Sequence, residues 1–312
     1  MNKSKQLTDG ALFTLVFIGM LLASVYLPVL SFFTVLVLAV PFIIYSAKHD
    51  WKPALVMLAV SILLSVLVAT IISVPLTIFA GLGGIMIGSA IHKELTPYET
   101  WARGTLGYVA GILFALVFAF LAFNVNILNE FNQQMDQILE MSKQMTIDLG
   151  MGEVSEEDLA IVEQQVNLYK QLYPVFIVFT ALLLALLNQW IGYKIVNRME
   201  KKQLRFPKFR NLKFPKSILW IYLFAIIFSL FQNDPNGTVL IALQNVMMLT
   251  GLLMAIQGLS FVFFVTHHKN KSIAIPIIVV VLTVIFAPLL LPLIRILGII
   301  DLGFGLRERM VQ

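Results

Sequence analysis

Four glycines fall within eight residues, at Gly81, Gly83, Gly84 and Gly88. Phosphate-binding loops use such density because backbone without Cβ atoms can close its N–H groups around an anion. Neither nucleotide fingerprint is completed here. The dinucleotide pattern G-x-G-x-x-G starts at Gly81 and Gly83 but meets Met86 at its third glycine. The P-loop pattern fits Gly83 and Gly88 but meets Ser89 where lysine must stand. The preceding TIISVPLTIFA is apolar sequence of membrane type carrying Pro75, not a Rossmann strand. Packing is the reading left. Gly81, Gly84 and Gly88 recur at helical steps, as do Gly104, Gly107 and Gly111. Such seams let membrane helices approach closely, and these two are expected to face each other. Gly251 and Gly258, with Gln244, form a third stripe.

Other chemistry is sparse. There is no cysteine, which excludes disulfides, thiolate metal sites and a cysteine nucleophile. The HKEL at 92–95 lacks the second histidine of a zincin, and no G-x-S-x-G or pair of membrane aspartates occurs. His267 and His268 sit in a basic loop and read as solvated. Asn236 opens a three-residue glycosylation match. Only Arg295 and, at the margin, Asp301 place charge near an apolar run, which argues against a proton pump built on buried carboxylates. The chain is therefore expected to be no enzyme, with no cofactor and no metal. Asn124, Asn126, Gln244 and Asn245 fall near the outer ends of their spans and are candidates to line a pocket for a neutral or zwitterionic small molecule. The alternative is that they hydrogen-bond across helices or reach interfacial water, as Asn188, Gln189 and Gln257 also could.

The second candidate surface is RFPKFRNLKFPK at 205–216, which repeats F-P-K and interleaves aromatic rings with Arg205, Lys208, Arg210, Lys213 and Lys216. It could set topology, grip anionic headgroups or dock a cytoplasmic or membrane coupling protein. Nucleic acid is the least favoured partner, and the net charge of +5 is no signature of it by itself, because the location of charge matters more than its sum.

These residues are carried by a chain that is 59% hydrophobic and 12% charged, with mean hydropathy +0.89. Soluble domains carry about 25% charge, so most of this chain must meet lipid. The expected fold is all-α, a polytopic transmembrane bundle of eight or nine spans, with apolar runs at 11–27, 31–46, 53–73, 75–91, 105–125, 173–192, 217–232, 238–265 and 273–298. The first run is read as a retained helix rather than a cleaved leader. Three parts follow: a five-span part at 1–125, a helical hairpin at 126–172, and 173–312 with its basic loop at 194–216. Lys3, Lys5, Lys48, Lys52, Lys93, Arg103, Lys269, Lys271 and the basic loop all fall on one side, while the alternate connections at 28–30, 73–75 and 232–237 lack Lys and Arg and the excursion at 126–172 is acidic. By the positive-inside rule the N-terminus is expected to be cytoplasmic. Nine spans then put Arg307 and Arg309 outside, which strains the rule. The hairpin would lie outside, with an apolar stripe of Leu128, Phe131, Met135, Ile138, Ser142 and Met145, a turn at 149–152, and a second helix opened by Ser155 and Asp158 and lined by Leu159, Val162, Val166 and Tyr169.

The order LTDGALFTLVFIGMLLASVYLPVL, then PFIIYSAKHDWKPAL, the Pro75 break and GLGGIMIGSAIHK resembles the YybS-like family of uncharacterised bacterial membrane proteins over the whole chain. The first 125 residues are also similar to the substrate-binding membrane subunits of energy-coupling-factor importers and to the rod-shape protein MreD. That second resemblance implies a compact six-helix membrane bundle, a ligand near the outer face and a coupling subunit as partner. The small-residue step such subunits carry on their first helix is Ala11 followed by Leu15 here.

Overall fold

The computed structural model describes residues 3–148, 156–232, 234 and 237–311. Among them every regular element is helical: α1 (Lys3–Tyr26), α2 (Pro28–Val37), α3 (Val40–His49), α4 (Trp51–Ala69), α5 (Val74–His92), α6 (Pro97–Phe123), α7 (Ile127–Asp148), α8 (Glu156–Gln171), α9 (Tyr173–Glu200), α10 (Ser217–Ser229), α11 (Thr238–His268), α12 (Ala274–Ile285), α13 (Ala287–Phe304) and α14 (Leu306–Val311). Among the described residues, eight helical stretches are long and apolar enough to cross a bilayer, α2 and α3 counting together as one. The fold is an all-α polytopic membrane bundle.

Local chemistry sets the boundaries. Pro28, Pro75 and Pro97 stand in the first turn of α2, α5 and α6, where a missing N–H costs nothing. Thr96 and Glu99 close a reciprocal capping box on α6. α1 begins well before the apolar run, because its polar first turns are tied into the bundle: Asp9 meets Lys48 at 2.5 Å and His49 at 2.7 Å. Two expected spans are not single long helices. The run 217–232 holds the short α10, and 273–298 breaks at Phe286 into α12 and α13, with Pro288 in the first turn of α13.

The chain forms two compact units, one of Met1–Lys170 with Phe176–Phe206, the other of Gln171–Val175 with Pro207–Gln312. The partition expected at 172/173 is corrected: most of α9 belongs with the first unit. Its amides explain why. Asn188 donates to the Leu36 carbonyl at 2.9 Å, and Gln189 donates to the Pro97 carbonyl and to the Tyr193 hydroxyl, each at 2.8 Å. Ala181 and Ala185 are fully buried beside them.

The glycine seams lie in the first unit and do not simply face each other. A Cβ on Gly84 would stand 2.6 Å from the Ala39 carbonyl, and one on Gly88 would strike Ser46 and the Ile43 carbonyl, so this face is pressed on α3. Gly81 lies under Leu58 of α4. The α6 seam meets the opposite side of α5: a Cβ on Gly107 would stand 2.6 Å from the Leu82 carbonyl, one on Gly111 would strike Phe79 and one on Gly104 would strike Ile87. Gly83, off the expected stripe, makes room for the buried Tyr108 ring. Helix α5 is thus close-packed on two sides, because its glycines occupy more than one face.

Helices α7 and α8 form an antiparallel pair, clasped by Lys143–Glu163 at 3.0 Å and Lys170–Asp136 at 2.5 Å. The inward face of α7 runs through Phe131 and Met135 to Leu139, whereas Ile138 and Met145 are exposed at 55% and 61%. The observed register of 131, 135 and 139 replaces the expected step to 138 and 142. The expected turn at 149–152, the Ser155 cap and the Asn236 match lie outside the described residues, as does the side chain of Leu159.

Candidate functional site

In the second unit, polar groups from α11, α13 and α14 converge on the basic loop. Helix α13 ends at Gly305, whose positive φ of 61° needs a residue without a Cβ penalty and whose N–H closes on the Asp301 carbonyl at 3.1 Å. This turn brings α14 back so that Arg307 lies over Asp301. The Arg307 guanidinium donates through Nε to Asp301 at 2.9 Å, through Nη1 to the Arg210 carbonyl at 2.8 Å and through Nη2 to Ser260 Oγ at 3.1 Å. Asp301 is only 2% exposed and also accepts from Gln257 Nε2 at 2.5 Å. Phe261 and Phe264 present their rings to the guanidinium at 5.9 and 5.4 Å.

The network reaches the loop backbone at four residues. Besides the Arg210 carbonyl, Ser260 Oγ shares its proton between the carbonyls of Phe209 at 2.7 Å and Leu212 at 3.1 Å. Gln257 Oε1 accepts from the Phe214 N–H at 3.0 Å. A buried ion pair repays its desolvation only when its remaining donors and acceptors are satisfied, and here the Arg210 carbonyl, Ser260 Oγ and Gln257 Nε2 supply those partners. The loop side chains are left to solvent: Lys208, Lys213 and Lys216 are exposed and Arg210 is half-buried. Lys213 also reaches Glu308 at 2.5 Å, and this contact holds the Glu308 carboxyl below its ordinary value of 4.5. Arg205 lies in the first unit.

The same contacts correct one expectation. Arg307 and Glu308 touch the loop at 210 and 213, so α14 lies on the same side as that loop rather than opposite it. The break at Phe286 supplies the extra reversal of chain direction. The close approach of α11 and α13 rests on Gly258 and Gly298, where a Cβ would strike the carbonyls of Ile294 and Met254 respectively. Gly251 leaves room for the Arg295 guanidinium, which donates to the Tyr222 hydroxyl at 3.4 Å.

Three of the four amides expected to line a pocket, Asn124, Asn126 and Asn245, have local roles. Asn124 is the left-handed C-cap of α6 at φ 54°. Asn126 caps α7, its Oδ1 accepting from the N–H groups of Leu128 and Asn129 at 3.1 and 3.2 Å. The hollow beside Asn126, of about 250 Å³, is otherwise walled by apolar residues such as Leu116, Phe120 and Leu121. In the second unit Asn245 donates to the carbonyls of Gln171 and Ile241 at 2.9 and 2.8 Å. The buried Gln244 Oε1 and Asn245 Oδ1 accept no hydrogen bond within the described chain. Among the described residues no cluster of histidine, aspartate and glutamate is arranged to hold a metal. His267 and His268 are exposed, His268 stacking on Phe264.

Two polar clusters escaped the sequence reading. The Asp301–Arg307 pair has no sequence signal, because the two residues lie six apart across a turn that only Gly305 marks. The Asp9–Lys48–His49 cluster in the first unit joins residues 40 apart. Its one sequence signal was a lone aspartate in a basic N-terminal turn.

A search of solved structures finds no match to this chain. The likeness of residues 1–125 to importer subunits and MreD therefore rests on residue pattern alone. Among curated proteins, the uncharacterised protein YybS of Bacillus subtilis strain 168 is 28% identical over 309 residues, covering 99% of each chain. The profile of a family described as predicted membrane protein (DUF2232) matches residues 14–302. With nearly the whole helical bundle inside that match, the chain belongs to this family of membrane proteins.

Proposed function

We propose that this protein is a non-catalytic membrane scaffold that offers a preformed cationic loop to an acidic surface of a cytoplasmic protein. One observation carries the reading: the buried Asp301–Arg307 pair and its amide and hydroxyl neighbours bond to loop backbone at 209–214 and leave the lysines outward. Ordering a loop before it binds removes entropy that association would otherwise have to supply. On this reading the membrane is a bacterial plasma membrane, with the N-terminus, the basic loop and α14 on its cytoplasmic side, as the positive-inside rule requires. Changing Lys208, Arg210, Lys213 and Lys216 together to Gln should abolish recovery of a partner cross-linked in native membranes while leaving insertion intact. An unchanged set of cross-linked proteins would remove docking through this loop.

A second reading, solute binding or transport, is favoured by the buried amide oxygens of Gln244 and Asn245, which accept no hydrogen bond among the described residues. A panel of vitamins and cofactors screened for thermal stabilisation tests it. Stabilisation by one compound that Gln244→Leu abolishes would support it, and silence across the panel would count against it.

A further inference from the structure

In the first unit, α1 and α4 frame a groove of about 700 Å³. Its walls include Leu7, Ala11 and Leu15 from α1 and Val56, Val60 and Leu64 from α4. One return crossing separates the two helices, so they run in the same direction and their polar starts, Gln6 and Lys52, lie at the same end. From Lys52 to Leu64 the α4 wall extends about 18 Å at 1.5 Å per residue. That is close to the depth of one leaflet, half of a hydrocarbon core of about 30 Å. Tyr45, also in the lining, spends its hydroxyl on the Gln6 carbonyl at 3.3 Å, so this part of the wall behaves as an apolar surface.

Charge is confined to the mouth. Lys52 is in no ion pair among the described residues, its Nζ lying 5.7 Å from the Trp51 ring. Lys3 is exposed and sits one helical turn before Gln6 and Leu7, on the α1 face that lines the groove. Of the neighbouring carboxylates, Asp9 is taken by Lys48 and His49, and Asp50 has its Oδ1 buried. The groove thus has an apolar length and a cationic mouth.

We propose that it binds one anionic phospholipid from the leaflet that meets the N-terminus, with an acyl chain along the α1–α4 walls and the headgroup phosphate between Lys3 and Lys52. Each lysine near a membrane surface contributes roughly 1 kcal/mol toward an anionic headgroup, so losing both predicts about thirty-fold weaker binding. The test uses full-length protein in detergent, with phosphatidylglycerol and phosphatidylcholine of identical acyl chains and with inorganic phosphate alone. Native mass spectrometry and thermal unfolding should show phosphatidylglycerol retained and stabilising above phosphatidylcholine. The Lys3→Gln/Lys52→Gln variant should lose that preference. Val56→Trp, which fills the groove from an exposed position, should release both lipids, and its unfolding temperature without lipid reports whether the fold survives. Leu67→Trp, exposed and outside the lining, should change nothing. Equal retention of the two lipids, or an unchanged preference in the double variant, would overturn the proposal. Stabilisation by inorganic phosphate alone would replace it with a headgroup-only site.

Discussion

Replacing Arg307 by methionine keeps most of the side-chain volume against Phe261 and Phe264 and removes every guanidinium bond. Two consequences follow at different scales. Asp301, 2% exposed, is left with Gln257 as its remaining side-chain partner. Breaking a buried pair from one side costs about 3–5 kcal/mol, so the unfolding temperature of the purified protein should fall sharply. Locally, the loop loses the bond from Arg307 to the Arg210 carbonyl at 2.8 Å. A hydrogen bond from a charged group contributes about 1.5–3 kcal/mol, which is roughly a 10- to 100-fold change in an opening equilibrium. Cleavage by trypsin follows the open population when reclosing is fast. The cut after Arg210, in the middle of the strapped segment, should therefore accelerate by about that factor when followed by mass spectrometry at low protease. Ser260→Ala provides a milder version, since it releases the carbonyls of Phe209 and Leu212 without stranding a charge. The double variant Asp301→Asn/Arg307→Met should lose less stability than the sum of its parts, because the single Arg307 change alone leaves an unpaired buried carboxylate. A cleavage rate within twofold of wild type, together with additive stabilities, would refute the idea that this network orders the loop.

Gly88→Ala should destabilise the first unit by about 1–3 kcal/mol, because the new methyl meets Ser46 and the Ile43 carbonyl, whereas Gly19→Ala meets nothing within 4 Å and should stabilise α1 by about 0.5–1 kcal/mol. Thermal unfolding of both variants in one detergent checks the contrast. Lys213 lowers the Glu308 pKa, so their contact is complete above the ordinary carboxylate value of 4.5 and is lost as pH falls through the lower folded value. An NMR titration of Glu308 should show a midpoint below 4.5 that Lys213→Ala returns toward it. The chain has no cysteine, so Lys208→Cys and Arg309→Cys can be labelled singly in sealed vesicles. Both should react from the same side of the membrane, and labelling from opposite faces would contradict the packing of α14 on the loop.

The membrane fold was legible because bilayer crossing is written locally, in runs of apolar residues whose length is set by the thickness of lipid. Helix starts at Pro28, Pro97 and the Thr96–Glu99 box were legible for the same reason, since each depends on neighbours within one turn. The glycine spacing identified faces that must accept close backbone. Which helix each face meets was not local. Gly84 and Gly88 press on α3 while Gly107 and Gly111 press on the far side of α5, a choice made by how several helices share one core. The break of 273–298 was hinted at by Pro288 and Pro292, but the return of α14 to the loop depends on Gly305 and on Arg307 finding Asp301. Aspartate and arginine six residues apart carry no periodic signal. Only the tertiary structure turns them into a buried pair, because only there does a loop about a hundred residues away supply the carbonyl, at Arg210, that burial of the guanidinium requires.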